Sequence, residues 1–204
     1  MATTAADYMW FEEGFPDLAE SYCVTLVHDV TPHELIRRLG GQPEPEVTGA
    51  AALVDTAYAL WGPSTTQTFF GMTALGAWTL MVEPNGWHGV NKAKALPASV
   101  GTRWISHYDN AHANNDGTFF WAEDTELRLH FELRDAEHRS GTCADDLLEV
   151  IRHLGFVFPE EPSDTDDDLA VPAAFALAEH LTGLRITPAL LRDTTFICGT
   201  AEIR

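Results

Sequence analysis

Lysine is nearly missing from this chain, which holds only Lys92 and Lys94. With arginine included, 12 basic residues stand against 31 acidic ones, for a formal charge of −19. A field of that sign repels phosphate backbones and anionic headgroups, so the expected partners include no nucleic acid and no membrane. A basic protein, a cationic peptide or a small molecule fits better. Cysteine is scarce too: Cys23, Cys143 and Cys198 are odd in number and widely spaced. That pattern suits a reducing cytoplasm and supplies neither a disulfide framework nor a zinc motif. No apolar run approaches the ~20 residues of a membrane span. The first residues show neither a basic nor an apolar leader region. Missing as well are GxSxG, HExxH, a P-loop and a GxGxxG after a strand. The familiar hydrolase, zinc-protease, nucleoside-triphosphatase and dinucleotide-binding sites are therefore not expected here. The expectation is no cofactor and no metal.

What is present reads as a folded chain. At 204 residues with 45% hydrophobic content, it can bury roughly 70% of its unfolded surface without a metal or disulfide. Residues 1–20 mix aromatics and acids, as in a helical arm that packs rings onto a body. Residues 21–28 alternate as a strand, with Tyr22, Val24 and Leu26 on one face. Thr31-Pro32-His33-Glu34 starts a helix: Thr31 caps, Pro32 needs no N–H, and Glu34 can complete a capping box. Gly40-Gly41 ends it, 42–46 is a Pro/Glu loop, and 49–60 is an alanine-rich helix. From 65 to 134 the period becomes two, with strands at 66–72, 78–83, 100–107, 118–123 and 126–133 and a short helix at 91–98. After 140 helical spacing returns, through Leu147, Leu148, Ile151 and Leu154. The acidic, proline-broken stretch 159–168 reads as a solvated linker before the C-terminal helices. The prediction is one α+β domain spanning 1–204. Its antiparallel sheet has about five to six strands within 65–134, flanked by N- and C-terminal helices.

Three places carry side chains suited to chemistry. The segment 107–117 gathers His107, Asp109, Asn110, His112, Asn114 and Asp116. Imidazole and carboxylate there could do acid–base work or meet a divalent ion, and the same residues suit a turn that caps its own backbone. Glu83 ends a strand before the tight turn Asn85-Gly86, with Trp87 and His88 behind it. The catalytic candidates are His107, Asp109, His112 and Glu83. The third place is a hairpin turning at Asp124-Thr125. A two-residue turn pairs Glu123 with Glu126, Trp121 with Arg128, and Phe119 with His130, all on the face opposite Phe120, Ala122 and Leu129. That face offers ligand contacts or lies under a helix. The candidate ligand-binding residues are Trp87, Asn110, Asn114, Phe119, Trp121, Arg128 and His130.

The run from Trp78 to Gly89, WTLMVEPNGWHG, resembles the strand–turn signature of an uncharacterised family common in actinobacteria. TPHELIRRLGG and LTGLRITPALL resemble it too. The resemblance implies no assigned activity. It implies an asparagine-rich turn at 110–115 without two histidines, which argues against a metal at His107 and His112. It also implies an accessory role near natural-product or toxin-type loci. The expected function is an acidic cytoplasmic binding or accessory protein, immunity-like or serving a natural-product cluster. The alternative is a small-molecule enzyme or ligand carrier using a pocket near 107–116.

Overall fold

The structure is a computed structural model that describes residues 3–62, 65–113, 117–158 and 168–203. The chain opens with a 3-10 turn (Ala5–Tyr8) and two short helices, α1 (Trp10–Gly14) and α2 (Pro16–Ala19). Strand β1 (Ser21–His28), helix α3 (Pro32–Arg38), strand β2 (Gln42–Thr48) and helix α4 (Ala50–Leu60) follow. Next come β3 (Gln67–Leu75), β4 (Trp78–Pro84), α5 (Lys92–Ala98) and β5 (Arg103–Asn110). The hairpin β6 (Thr118–Glu123) and β7 (Glu126–Glu132) leads into β8 (Asp135–Ser140). Helices α6 (Leu148–His153), α7 (Ala170–Thr182) and α8 (Pro188–Asp193) precede the last strand, β9 (Thr195–Glu202).

The fold is α+β, but the sheet has nine strands among the described residues, in the order β2-β9-β3-β4-β1-β5-β6-β7-β8. Every neighbouring pair is antiparallel. The expected five to six strands were too few for three physical reasons. The segment 42–46 was read as a loop because of Pro43 and Pro45. It is an edge strand, where a missing N–H costs no second ladder and blunts pairing with other chains. β8 is a polar edge that lacks the hydrophobic alternation of a core strand. β9 lies far from 65–134 in sequence and is inserted between β2 and β3. β1, also outside the predicted block, is at the centre. The acidic segment 159–168 lies outside the described residues except for Asp168.

Helices cover both faces of the sheet, so β4 is buried along its whole length and β1 nearly so. Such strands read as continuous hydrophobic runs. On one face, Tyr22, Val24, Leu80, Val82, Ile105, Phe119, Phe131 and Phe196 pack with α4, α7 and the N-terminal arm. The arm's rings do meet the body, with Phe11 4.6 Å from Phe175 and 4.9 Å from Tyr22 between centroids. On the other face, Phe70, Met72, Met81, Trp104 and Phe120 pack under Leu35 and Ile36 of α3, Leu39 at its C-cap, and Ala95 and Ala98 of α5. α3 starts as its sequence predicts, with Thr31 Oγ1 accepting from the Glu34 N–H at 3.3 Å. The Glu34 side chain does not close the capping box. It binds Arg37 at 2.7 and 2.8 Å and Arg38 at 3.0 Å.

Candidate functional site

Glu83 is fully buried at the end of β4. Its Oε1 accepts from the His88 N–H at 3.0 Å and lies 2.9 Å from His88 Nδ1, while Oε2 accepts from the Gly89 N–H at 3.0 Å. His88 Nε2 lies 3.0 Å from the Glu202 carbonyl of β9. Both ring nitrogens therefore face acceptors, and the imidazolium satisfies both. Burial opposes that charge; the Glu83 hydrogen bond, the Glu83 charge and the Glu202 carbonyl outweigh it, and the net shift of His88 is upward. The turn is pinned from the other side as well. Trp104 Nε1 and Ser106 Oγ donate to the Gly89 carbonyl at 2.8 and 2.5 Å. A Cβ on Gly89 would come 2.0 Å from Thr25 Oγ1 and 2.7 Å from Cys23 Sγ, so only glycine fits there. Cys23 itself is buried, and desolvation followed by the Glu83 charge pushes its thiol up, away from the thiolate. The EPNGWHG run is thus a clamp that ties β4 to β9 and β5.

The other predicted catalytic residues do not converge. His107 lies under α7, its ring centroid 4.4 Å from that of Phe175 and its Nδ1 3.1 Å from the Tyr22 hydroxyl. Desolvation alone holds it down to about 3, and its Nε2 has no hydrogen-bond partner among the described residues. Asp109 is buried and takes Arg134 at 2.5 Å, and Arg134 also reaches Asp168 at 2.9 Å. His112 is exposed, 3.7 Å from Glu20. Its N–H donates to Asn110 Oδ1 at 3.0 Å, which closes an Asx turn. Among the described residues, no group of three or more His, Cys, Asp or Glu side chains could hold a metal. Asn114 and Asp116 lie outside the described residues.

The hairpin register corrects the expected one. Glu123 pairs with Glu126 as predicted, but the ladder slips so that Trp121 faces Leu129 and Phe119 faces Phe131. Arg128 is the extra residue of a bulge, with Glu126 2.8 Å away, and is therefore not opposite Trp121. The slip exchanges the faces beyond it. Phe119 is fully buried and stacks on Phe131 at 5.6 Å, and Trp121 packs half-buried against the same core. His130 instead lies beside Phe120 on the opposite side, 6.3 Å between rings. Trp87 is half-buried in its turn. A bulge caused by one residue leaves no sequence signal that alternation can read.

Among the clefts at the surface, two are the most spacious of those bordered by described residues, and none of His107, Asp109, His112 or Glu83 lines either. One, of about 700 Å³, is bordered by His28, Trp78, Arg103, Glu123 and Asp124. The other, of about 470 Å³, lies between the end of α4 and the sheet. Ala57, Leu60 and Trp61 form one wall and Gln67, Thr68 and Phe69 of β3 the other. Pro84, Asn85, Glu44 of β2 and Thr200 of β9 close the end. Sequence reasoning missed this cleft, because its walls come from four segments joined only by the insertion of β9. The one local signal is Trp61 directly after a helix end.

Over residues 1–204 the chain matches the family described as Family of unknown function (DUF6461), and it belongs to that family. No curated protein and no solved structure matches it. Among the described residues, no helix is long and apolar enough to cross a membrane.

Proposed function

We propose that this member of a family without an assigned activity is a non-catalytic binding protein for a cationic partner, acting as a single α+β domain in an accessory or immunity-like role. The observation that carries the reading is where its few cations go. Eight arginines (Arg37, Arg38, Arg103, Arg128, Arg134, Arg139, Arg152 and Arg185) sit within 4 Å of the chain's own carboxylates. Little positive charge is left to offset the remaining acids, so the surface presents a field that attracts cations and speeds their approach. The acid–base candidates support this reading from the other side. Glu83 and His107 are sealed in the core, and Asp109 is occupied by Arg134.

Isothermal titration with an octalysine peptide tests the proposal. Saturable 1:1 binding that survives 150 mM salt, where the Debye length is about 8 Å, is the expected result. Binding that vanishes at that salt, or that an oligonucleotide of equal length matches, removes it. A ligand-carrier reading has one observation in its favour, the cleft of about 470 Å³ beside α4, whose volume lies in the range of small-molecule sites.

A further inference from the structure

The cleft beside α4 has a consistent chemistry. Among its described lining residues there is one carboxylate, Glu44, and no lysine, arginine or histidine. Glu44 makes no ion pair among the described residues. Thr200 Oγ1 donates to its Oε1 at 3.2 Å, which orients the group and leaves Oε2 for another donor. Trp61, 44% exposed, presents a large ring at the rim, and Phe69 lies deeper. The eleven-residue helix α4 ends here, so the negative end of its dipole, roughly half a charge, faces the same space. That end is held in place by Thr65, whose hydroxyl donates to the Leu60 carbonyl at 3.1 Å and accepts from the Gly62 N–H at 2.6 Å. Leu60 and Ala57 supply an apolar wall for a methylene stem.

A carboxylate, an aromatic face and a helix C-terminus all favour positive charge, and no described group in the cleft opposes it. We infer that this cleft binds an organic cation, an ammonium or guanidinium on an aliphatic stem, with Glu44 as counter-ion and Trp61 as the face over which the cation rests. The inference deepens the reading above by giving the cationic partner a seat. The cation has two sources, a free small amine or the side chain of a basic protein, and one experiment separates them.

Titration with cadaverine reads the first source, and titration with a blocked pentapeptide carrying one central lysine reads the second. Controls are the neutral diol of cadaverine's length and the peptide with glutamine in place of lysine. The expected results are saturable binding of at least one cation and none of its neutral counterpart. Glu44→Gln should weaken that binding about fivefold and Trp61→Ala about two- to fivefold. Asp55→Asn removes an exposed charge from α4 outside the cleft and should change it less than twofold. Unchanged denaturation midpoints in all three variants confirm that folding is intact. No binding of either cation, equal binding of the neutral probes, or equal weakening by Asp55→Asn overturns the inference. Octalysine binding that persists in Glu44→Gln and Trp61→Ala, with cadaverine and the lysine peptide both silent, removes the cleft and spares the wider reading. Cadaverine binding without octalysine binding does the reverse.

Discussion

Replacing Glu83 with glutamine tests the clamp that the EPNGWHG run builds. The carboxylate accepts three hydrogen bonds in a fully buried site. An amide oxygen at the Oε1 position keeps both contacts to His88. The amide nitrogen then faces the Gly89 N–H, donor against donor. Leaving buried donors unpaired costs about 1–3 kcal/mol. Losing the carboxylate's charge from the two remaining bonds removes about another 1 kcal/mol each. The sum, about 3–5 kcal/mol, agrees with the cost of breaking a buried ion pair by removing one partner. Urea unfolding at pH 6 should show that loss with an unchanged m-value. The pH dependence gives a second readout. The folded value of His88 lies above its ordinary 6.5, so just above that pH the native state holds a proton the unfolded chain has released. Its stabilisation is fully present below 6.5 and is lost as pH rises through the folded value. Glu83→Gln should flatten that fall. A loss below about 1 kcal/mol, with the wild-type slope retained, would refute the clamp.

His107 predicts the opposite slope. Its folded value is held at about 3 against 6.5 unfolded, so between these values the unfolded state binds the extra proton and stability rises with pH, by at most about 1.4 kcal/mol per unit. His107→Gln keeps an acceptor for Tyr22 and should reduce the slope between pH 4 and 6 in urea titrations; an unchanged slope would show that His107 is not buried neutral. Trp121 separates packing from binding, because its Nε1 is buried without a hydrogen-bond partner among the described residues. Trp121→Phe should lie within about 1 kcal/mol of wild type and Trp121→Ala should cost about 2–4 kcal/mol, neither changing octalysine affinity. Weakened binding in a stably folded Trp121→Phe would place that ring on the partner surface.

Much of the local structure was legible in the residues. Thr31-Pro32 and Thr187-Pro188 both start helices because a capping hydroxyl and a proline at N1 act within one turn. The strands at 78–83 and 118–123 and the hairpin turn at Asp124-Thr125 followed from alternation and turn chemistry. The acidity and lysine poverty are properties of composition and needed no structure. Tertiary structure decided the rest, because it depends on contacts between distant segments. β9 crosses from the C-terminus to pair with both β2 and β3, turning a proline-rich stretch into an edge strand and giving His88 its Glu202 carbonyl. The bulge at Arg128 brought Leu129 and Phe131 of β7 onto the face of Phe119 and Trp121 and sent His130 to the other, since a shift of one residue reverses every side chain beyond it on that strand. Burial decided the character of the candidate site. Glu83, a catalytic candidate at a strand end, is buried as a clamp, and His107, a candidate base, lies buried in the core under α7. Glu44, read as part of a loop, is the one described carboxylate lining the cleft beside α4.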